Sequence, residues 1–196
     1  MVSPSRPNKE PTVATALPDD ALTRAQAGEP AAFSLLYQAL GPAVLGYFAG
    51  RGSEDPEALT QDVFLTVFSK LEAVTGGLPG LRTFTFSVAH ARHVDEVRRR
   101  TRTPVLVGYE ADGDTRSTES AEAVVLDRLD AGLAGGLLAQ VNADQREVLL
   151  LRIVAELPID QVAEILGRSA GSVKQLQRRG LLKLKELVQP NESEAL

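Results

Sequence analysis

The chain has 196 residues, of which 43% are apolar and 5% aromatic, with no cysteine and a formal net charge of −5. The lack of cysteine excludes disulfides and thiolate metal sites and favours a reducing compartment such as the cytoplasm. No apolar run approaches the roughly 18 residues that cross a bilayer, and the N-terminus lacks a signal peptide's apolar centre, so we expect no membrane insertion.

The first half of the chain predicts a short tail followed by helices. Residues 1–18 carry four prolines and little apolar periodicity, which predicts a disordered tail. Apolar residues recur at helical spacing over residues 20–102. Pro42 is expected to kink or restart the first long helix, and Pro56 to lie in the first turn of the next. Residues 75–80, "TGGLPG", predict a break before a third helix that runs into an arginine-rich end.

The apolar pattern stops between residues 103 and 121, where glycine, proline and acidic residues predict a flexible acidic linker. A second helical block is predicted over residues 122–188, and a short polar tail closes the chain at 189–196. No β-hairpin signature and no internal repeat is found. The predicted fold is therefore all-α, with two small helical domains, 20–102 and 122–188, joined by the linker.

The second domain contains a predicted helix-turn-helix. Gly167 permits the positive φ that ends the first helix, and Ser169 can cap the second through its side-chain oxygen. Gly180 is expected where a neighbouring helix packs closely. Asn142 or Asp144 is expected to cap the helix before the motif. The residues predicted on the buried sides are Ile159, Val162, Ile165 and Leu166 in the first helix and Val173, Leu176 and Leu184 in the second.

The charge of the chain is distributed unevenly. Residues 92–102 hold five arginines and two acids, and residues 168–185 hold six lysines or arginines and no acid, which leaves 10 basic and 24 acidic residues elsewhere. One strip of this kind would be explained as the solvated face of a helix. Two cationic strips, each beside a structural motif, favour a phosphate backbone that is approached at two places.

The second strip has the arrangement that helix-turn-helix proteins present to the DNA major groove. At 100° per residue, Lys174, Gln175 and Arg178 fall opposite the apolar side, with Arg179 at the edge. Base edges would meet the N-terminal half of this helix, while lysine and arginine hold phosphates. Any amphipathic helical hairpin gives a similar stripe, and a helix-turn-helix by itself indicates only DNA binding.

Three segments together resemble a known family. These are "LTQDVFLTVFSKL" (59–71), "TFTFSVAHARHVDEVRRRTR" (83–102) and "LPIDQVAEILGRSAGSVK" (157–174), in that order along the chain. The pattern is similar to that of the extracytoplasmic-function (ECF) sigma factors of bacterial RNA polymerase. The resemblance covers residues 20–188 and implies sigma region 2 over 20–102 and sigma region 4 over 122–188.

The resemblance implies a role for each segment. The helix of the first segment would dock on the β′ clamp helices of core polymerase. The helix of the second segment would face the −10 promoter element, and the second helix of the helix-turn-helix would read the −35 element as duplex. The loop 73–80 would hold a base flipped from the non-template strand, and the linker would run through the polymerase cleft. Further implied partners are the β flap and an anti-sigma factor. The residues implied are Gln61, Asp62, Phe64 and Leu65 for polymerase, with Phe68 extending that contact or packing inward; Arg92, Asp95, Arg98, Arg99 and Arg100 for −10 DNA; and Ser172, Lys174, Gln175, Arg178 and Arg179 for −35 DNA.

No enzymatic site is predicted. The sequence has no nucleophile motif, phosphate loop or dinucleotide fingerprint, so we expect no catalytic residue and no cofactor. His90 and His93, taken as surface residues of one helix, have no third ligand at suitable spacing, so no metal site is expected. Two other classes stay open: a polymerase-independent helix-turn-helix regulator, and an interaction protein that mimics an anti-sigma factor.

Overall fold

The computed structural model describes residues 17–102 and 135–188. Within these residues there is no strand, and the all-α prediction is confirmed. The predicted linker, residues 122–134 of the second predicted domain, the closing tail and residues 1–16 of the N-terminal tail lie outside the described residues. The helices with both ends described are α1 (Ala21–Gln26), α2 (Pro30–Arg51), α3 (Pro56–Ser69), α4 (Gly77–Arg102), α5 (Ala143–Leu149), α6 (Ile159–Leu166) and α7 (Ala170–Val188). Residues 135–139 are also helical.

Two short turns connect these helices. A 3₁₀ turn, Leu71–Ala73, follows α3, and a π-helical turn, Leu150–Val154, continues α5. We call residues 17–102 the N-terminal unit and residues 135–188 the C-terminal unit. The two units share one continuous apolar core, so the helices that carry the two cationic strips lie on a single compact body.

Helix α2 is the central helix of the N-terminal unit. It continues through Pro42, so the predicted restart is not observed. Pro42 removes one backbone hydrogen bond and is exposed, while Leu40 and Val44 on either side of it are buried. Burial of these flanking side chains offsets the lost hydrogen bond.

By length and composition, α2 is the one described helix that could cross a bilayer, which the sequence reasoning did not anticipate. Its buried side chains explain this composition, because they fill the core of the protein. Leu36, Tyr47 and Phe48 are fully buried, and the Tyr47 ring packs edge-on against Phe48 and Phe86. A helix in the middle of a protein core is apolar for the same reason as a membrane helix.

Helix α3 begins as its sequence predicts. Pro56 occupies the first turn, and the Asp55 side chain accepts a hydrogen bond from the Ala58 N–H at 2.8 Å. Its apolar stripe is buried against α2 and α4. The residues of that stripe are Leu59, Val63, Phe64 and Val67.

Helix α4 begins earlier than predicted. Gly77 already lies in the helix, so the chain break is confined to residues 74–76 and the stretch 77–80 forms the first helical turn. Pro79 fits there because the N–H groups of a first turn have no partner within the helix. A Cβ atom on Gly80 would stand 1.9 Å from the Thr75 carbonyl oxygen, so this close reversal requires glycine.

The predicted ends of the C-terminal helices are confirmed. Gly167 has φ +60° and ends α6, and the Ser172 N–H donates to Ser169 Oγ at 3.2 Å at the start of α7. Asn142 caps α5 by accepting a bond from the Asp144 N–H at 3.0 Å. These caps hold α6 and α7 at the tight turn of a helix-turn-helix.

Gly180 lies at a close helix contact, as predicted. It is buried, and a Cβ atom there would stand 2.8 Å from Leu149 Cδ1 and 3.3 Å from Gln145 Cβ. Val173 on the same face of α7 is fully buried. The inner face of α7 is therefore fixed against α5, which leaves its outer face to solvent.

Candidate nucleic-acid interface

Helix α3 presents a mixed polar and apolar surface to solvent. Gln61, Asp62 and Leu65 are exposed, and Leu65 is 70% exposed although it is apolar. Phe64 is only 3% exposed, so in this arrangement it faces inward and is not part of the surface. Three of the four residues predicted to bind polymerase thus form one patch, which we call the α3 patch: Gln61, Asp62 and Leu65.

Aromatic rings support the α3 patch from beneath. The Phe64 ring lies 4.7 Å from Tyr37 and 5.4 Å from Phe68, and Phe68 packs edge-on against Phe33 at 5.2 Å. Such offset and edge-on pairs stabilise an aromatic cluster beyond the burial of its surface. Phe68 packs inward, and Phe64 holds α3 in place rather than meeting a partner.

The arginines near the end of α4 differ in what they contact. Arg92 Nη2 donates to Thr66 Oγ1 at 2.9 Å and so ties α4 to α3. Arg100 pairs with Glu96 at 2.6 Å and with Glu54 at 3.1 Å. Arg92 and Arg100, both predicted to bind −10 DNA, therefore bind other side chains of the protein itself.

The other predicted −10 residues lie on the exposed side of α4. Asp95, Arg98 and Arg99 are exposed, and Arg98 lies 3.8 Å from Asp95 one turn away. An exposed pair at this distance is worth little in stability, so it can be exchanged for a phosphate contact.

Helix α7 carries the predicted −35 residues on its outer face. Lys174, Gln175, Arg178 and Arg179 are exposed, and Ser172 is half-buried in the first turn. Among the described residues, no carboxylate lies within 4 Å of the three cations of this group. Cations without an internal partner can bind a negatively charged molecule such as a phosphate backbone.

A cleft of about 700 Å³ lies beside the predicted base-binding loop. Because residues 77–80 are helical, the loop itself is reduced to residues 74–76, and the predicted loop 73–80 is corrected accordingly. Lys70 and Thr75 contribute to the cleft from this side. The α4 residues Thr83, Phe84 and Ser87 also line the cleft.

Known proteins are similar to this chain in sequence. The sigma-70 region 4 family matches residues 137–186, which include α5, α6 and nearly all of α7. The ECF RNA polymerase sigma factor BldN of Streptomyces coelicolor is 28% identical over 168 residues, which are 84% of this chain and 63% of BldN. The ECF sigma factor ShbA of Streptomyces griseus is 28% identical over 176 residues, 85% of this chain and 92% of ShbA. The C-terminal unit therefore matches sigma-70 region 4, and the chain is similar to ECF sigma factors over most of its length.

Two further comparisons agree with this similarity. The RNA polymerase sigma factor CarQ of Myxococcus xanthus is 29% identical over 180 residues, 85% of this chain and 95% of CarQ. A solved structure of CnrH in complex with the cytosolic domain of CnrY has a TM-score of 0.61 at 20% identity and covers 88% of this chain and 97% of its own. The likeness to CnrH shows the fold alone.

His93 is not a surface residue and His90 is half-buried, which corrects the interpretation of both as surface residues. His93 is buried, with its Nδ1 atom 3.4 Å from Ser53 Oγ and 3.4 Å from Glu96 Oε2. Burial, and then the positive charge of Arg51, lower the pKa of His93 to about 4. The ring is therefore neutral at pH 7, and it packs within the core of the protein.

The buried His93 predicts a loss of stability in acid. An unfolded histidine titrates near pH 6.5, so between pH 6.5 and about 4 the unfolded chain binds a proton that the folded protein does not. The free energy of unfolding should therefore fall by roughly 2–3 kcal/mol from this group as the pH drops through that range. Urea unfolding of the parent and of His93→Gln at pH 7 and pH 4.5 measures it. The variant should lose less stability than the parent, and equal losses would contradict the assignment.

The sequence patterns did not identify the residues that join the two units of the protein. Glu147 on α5 contacts Arg51 and His90 of the N-terminal unit. One signal was present in the sequence, because Gly46 and Gly50 stand one turn apart in an otherwise apolar helix. Small residues at this spacing indicate that another helix crosses closely.

Proposed function

We propose that the protein directs core RNA polymerase to promoters, binding the −35 element as duplex and holding the melted −10 element. The observation that carries this proposal is the division of exposed side chains over three helices of one chain. The α3 patch offers an apolar contact, α4 offers arginines, and α7 offers unpaired cations. We propose sigma region 2 over residues 20–102 and sigma region 4 over residues 122–188, in keeping with this division.

The α3 patch is proposed to bind the β′ clamp helices of core polymerase. An exposed leucine between polar residues has the composition of a protein interface, with an apolar centre and a polar rim. Gln61 and Asp62 would supply the rim, and Leu65 the centre. Region 4 would contact the β flap.

The exposed arginines of α4 are proposed to hold the −10 element. Neutralising phosphates releases counterions, which favours binding at low salt. A base captured from the non-template strand in the cleft beside Phe84 would lower the free energy of the melted state, so that no ATP-driven motor is needed. The set proposed for this contact is Arg98 and Arg99, with Arg92, Asp95 and Arg100 positioned beside them.

The outer face of α7 is proposed to enter the major groove at the −35 element. Side chains in the first half of a recognition helix reach base edges, while those at its margins hold phosphates. Ser172, Gln175 and Arg178 would read bases. Lys174 and Arg179 would hold the backbone on either side.

The proposed function consists of binding to polymerase and promoter DNA, so it needs no metal or cofactor. The protein would act in the cytoplasm, where polymerase and DNA are found. An anti-sigma factor, implied by the family resemblance, is proposed as a further partner.

Run-off transcription tests the proposal. Reconstituted core polymerase plus the full-length protein should yield specific transcripts from genomic fragments, and the start sites then locate the −10 and −35 elements. A polymerase-independent regulator would instead bind specific DNA by itself and give no specific transcript. The absence of any specific transcript from a full set of fragments would rule out the sigma function.

A further inference from the structure

The last residue of α1 binds the chain segment between α3 and α4. The Gln26 side-chain amide donates to the Leu71 carbonyl oxygen at 3.0 Å and to the Val74 carbonyl oxygen at 2.9 Å. Leu71 begins the 3₁₀ turn that follows α3, and Val74 is the first residue after that turn. One side chain, which lies 45 residues before Leu71 in the chain, therefore holds both ends of the turn.

The two acceptors determine which way the amide of Gln26 points. Both partners are carbonyl oxygens, which only accept hydrogen bonds, so the Nε2 atom with its two hydrogens must face them. Each of the two hydrogens has its own acceptor. Gln26 is half-buried, and Leu71 and Val74 are buried, so water competes little for these two bonds.

The end of α1 that carries Gln26 is itself fixed. Arg24 Nε donates to Glu29 Oε2 at 2.7 Å, and Arg24 Nη2 contacts Glu29 Oε1. This pair spans the turn between α1 and α2. Leu22 and Ala25 of α1 are buried in the core. The Gln26 side chain therefore starts from a helix end that is held both by packing and by an ion pair.

The segment held by Gln26 forms one wall of the 700 Å³ cleft. The chain leaves this wall through Gly76 and Gly77, which have φ values of +81° and +65°. Glycine loses more backbone freedom on ordering than any other residue, so external bonds are needed to fix such a wall. Gln26 is not among the residues that line the cleft, so it would act through this segment. The lining residues of the segment are Lys70, Glu72, Ala73, Val74 and Thr75.

We propose that Gln26 is a positioning residue for base capture, and that it holds residues 70–75 in the shape that receives the captured base of the −10 strand. A site that is already formed binds more tightly than one that its ligand must order, because the cost of ordering is subtracted from the affinity. The two hydrogen bonds of Gln26 order the wall during folding, before any base arrives. The identity of the ligand rests on the proposed function, whereas the two hydrogen bonds do not.

Two substitutions remove the donors of Gln26 and keep a side chain of similar length. Gln26→Met has no hydrogen-bond donor, and Gln26→Glu replaces the donors with oxygens that repel both carbonyls. Thr23→Ala is the matched control, because Thr23 is exposed about one turn earlier on the same helix. Neither position belongs to the residues proposed to contact polymerase or DNA.

Binding is measured with the holoenzyme of core polymerase and the full-length protein on a forked template. The template carries a mapped promoter, with its −10 non-template strand unpaired and labelled. An abasic site is placed at each position of that strand in turn, and the captured base is the one whose removal weakens binding of the parent most. The affinities of each variant for the intact template and for that abasic template are then compared. Urea unfolding of each free protein checks its stability.

We expect Gln26→Met and Gln26→Glu to bind the intact template on the order of tenfold more weakly than the parent, because two hydrogen bonds no longer order the wall. Both variants should bind the abasic template with nearly the parent's affinity, and Thr23→Ala should resemble the parent on both templates. A contact that only stabilises the fold would affect both templates alike. Equal losses on the two templates, no loss on either, or the absence of a folded state in both variants would each overturn the positioning role.

Failure of the proposed function gives a different result. The parent holoenzyme would then yield no specific transcript, or no abasic position would weaken its binding. Either result removes the captured base and, with it, the role of Gln26. A base captured by the parent, together with an unchanged ratio of the two affinities in both variants, overturns the role of Gln26 alone.

Discussion

Replacing Leu65 with glutamate is expected to weaken binding to core polymerase on the order of 100-fold, which is about 2.7 kcal/mol. Leu65 is 70% exposed on α3, so its replacement removes little burial from the folded protein and should leave its stability nearly unchanged. In a complex with polymerase, the new carboxylate would be buried without a partner, and that is costly. Leu65→Glu should therefore weaken the complex and leave the stability of the free protein nearly unchanged.

Equilibrium binding of labelled protein to core polymerase measures the effect of Leu65→Glu, and urea unfolding checks its stability. Val188→Glu is the matched control, because Val188 is an exposed apolar residue at the far end of α7 and lies outside the proposed sites. The control should bind polymerase with nearly the parent's affinity. Equal affinity for the parent and Leu65→Glu would exclude the α3 patch as the docking surface.

Removing the Arg178 side chain by Arg178→Ala is expected to cost roughly 1–3 kcal/mol at the −35 duplex, or about 5- to 150-fold in affinity. Arg178 is exposed on the outer face of α7, and no carboxylate of the described residues pairs with it. A guanidinium that is free of internal partners can bind a guanine edge with two hydrogen bonds. The loss of affinity should therefore depend on the identity of one base pair.

A panel of duplexes with single substitutions across the mapped −35 element locates that base pair. Lys183→Ala serves as the control, since Lys183 lies on the same helix but already pairs with Glu186 at 3.5 Å. If Arg178→Ala weakened all duplexes equally and lowered the salt dependence, Arg178 would be a phosphate contact instead. The −35 assignment of the helix would then rest on its neighbours.

Local features of the helix-turn-helix could be predicted from the sequence. Gly167, Ser169 and Asn142 end or begin their helices as expected, because a cap depends on hydrogen bonds within a few residues. Gly180 was also predicted to lie at a close contact, because a glycine on the apolar face of a helix marks such an approach. Capping and helical periodicity act over short distances along the chain, so the sequence records them directly.

Other features were decided only when the helices packed together. The inward orientation of Phe64 depends on Tyr37 in another helix, and the burial of His93 depends on how α4 lies against its neighbours. Neither periodicity nor spacing contains that information, because each arises from contacts between residues far apart in sequence.

The sequence by itself determined the all-α class, the ends of the C-terminal helices and the two cationic strips. The tertiary structure decided which residues of those strips are exposed, and it joined two units that the sequence separated. Gly50 leaves the space for Leu150 across 100 residues of chain, and Glu147 finds its donors on two different helices. Such contacts follow from shape and charge complementarity between surfaces, which no local pattern encodes.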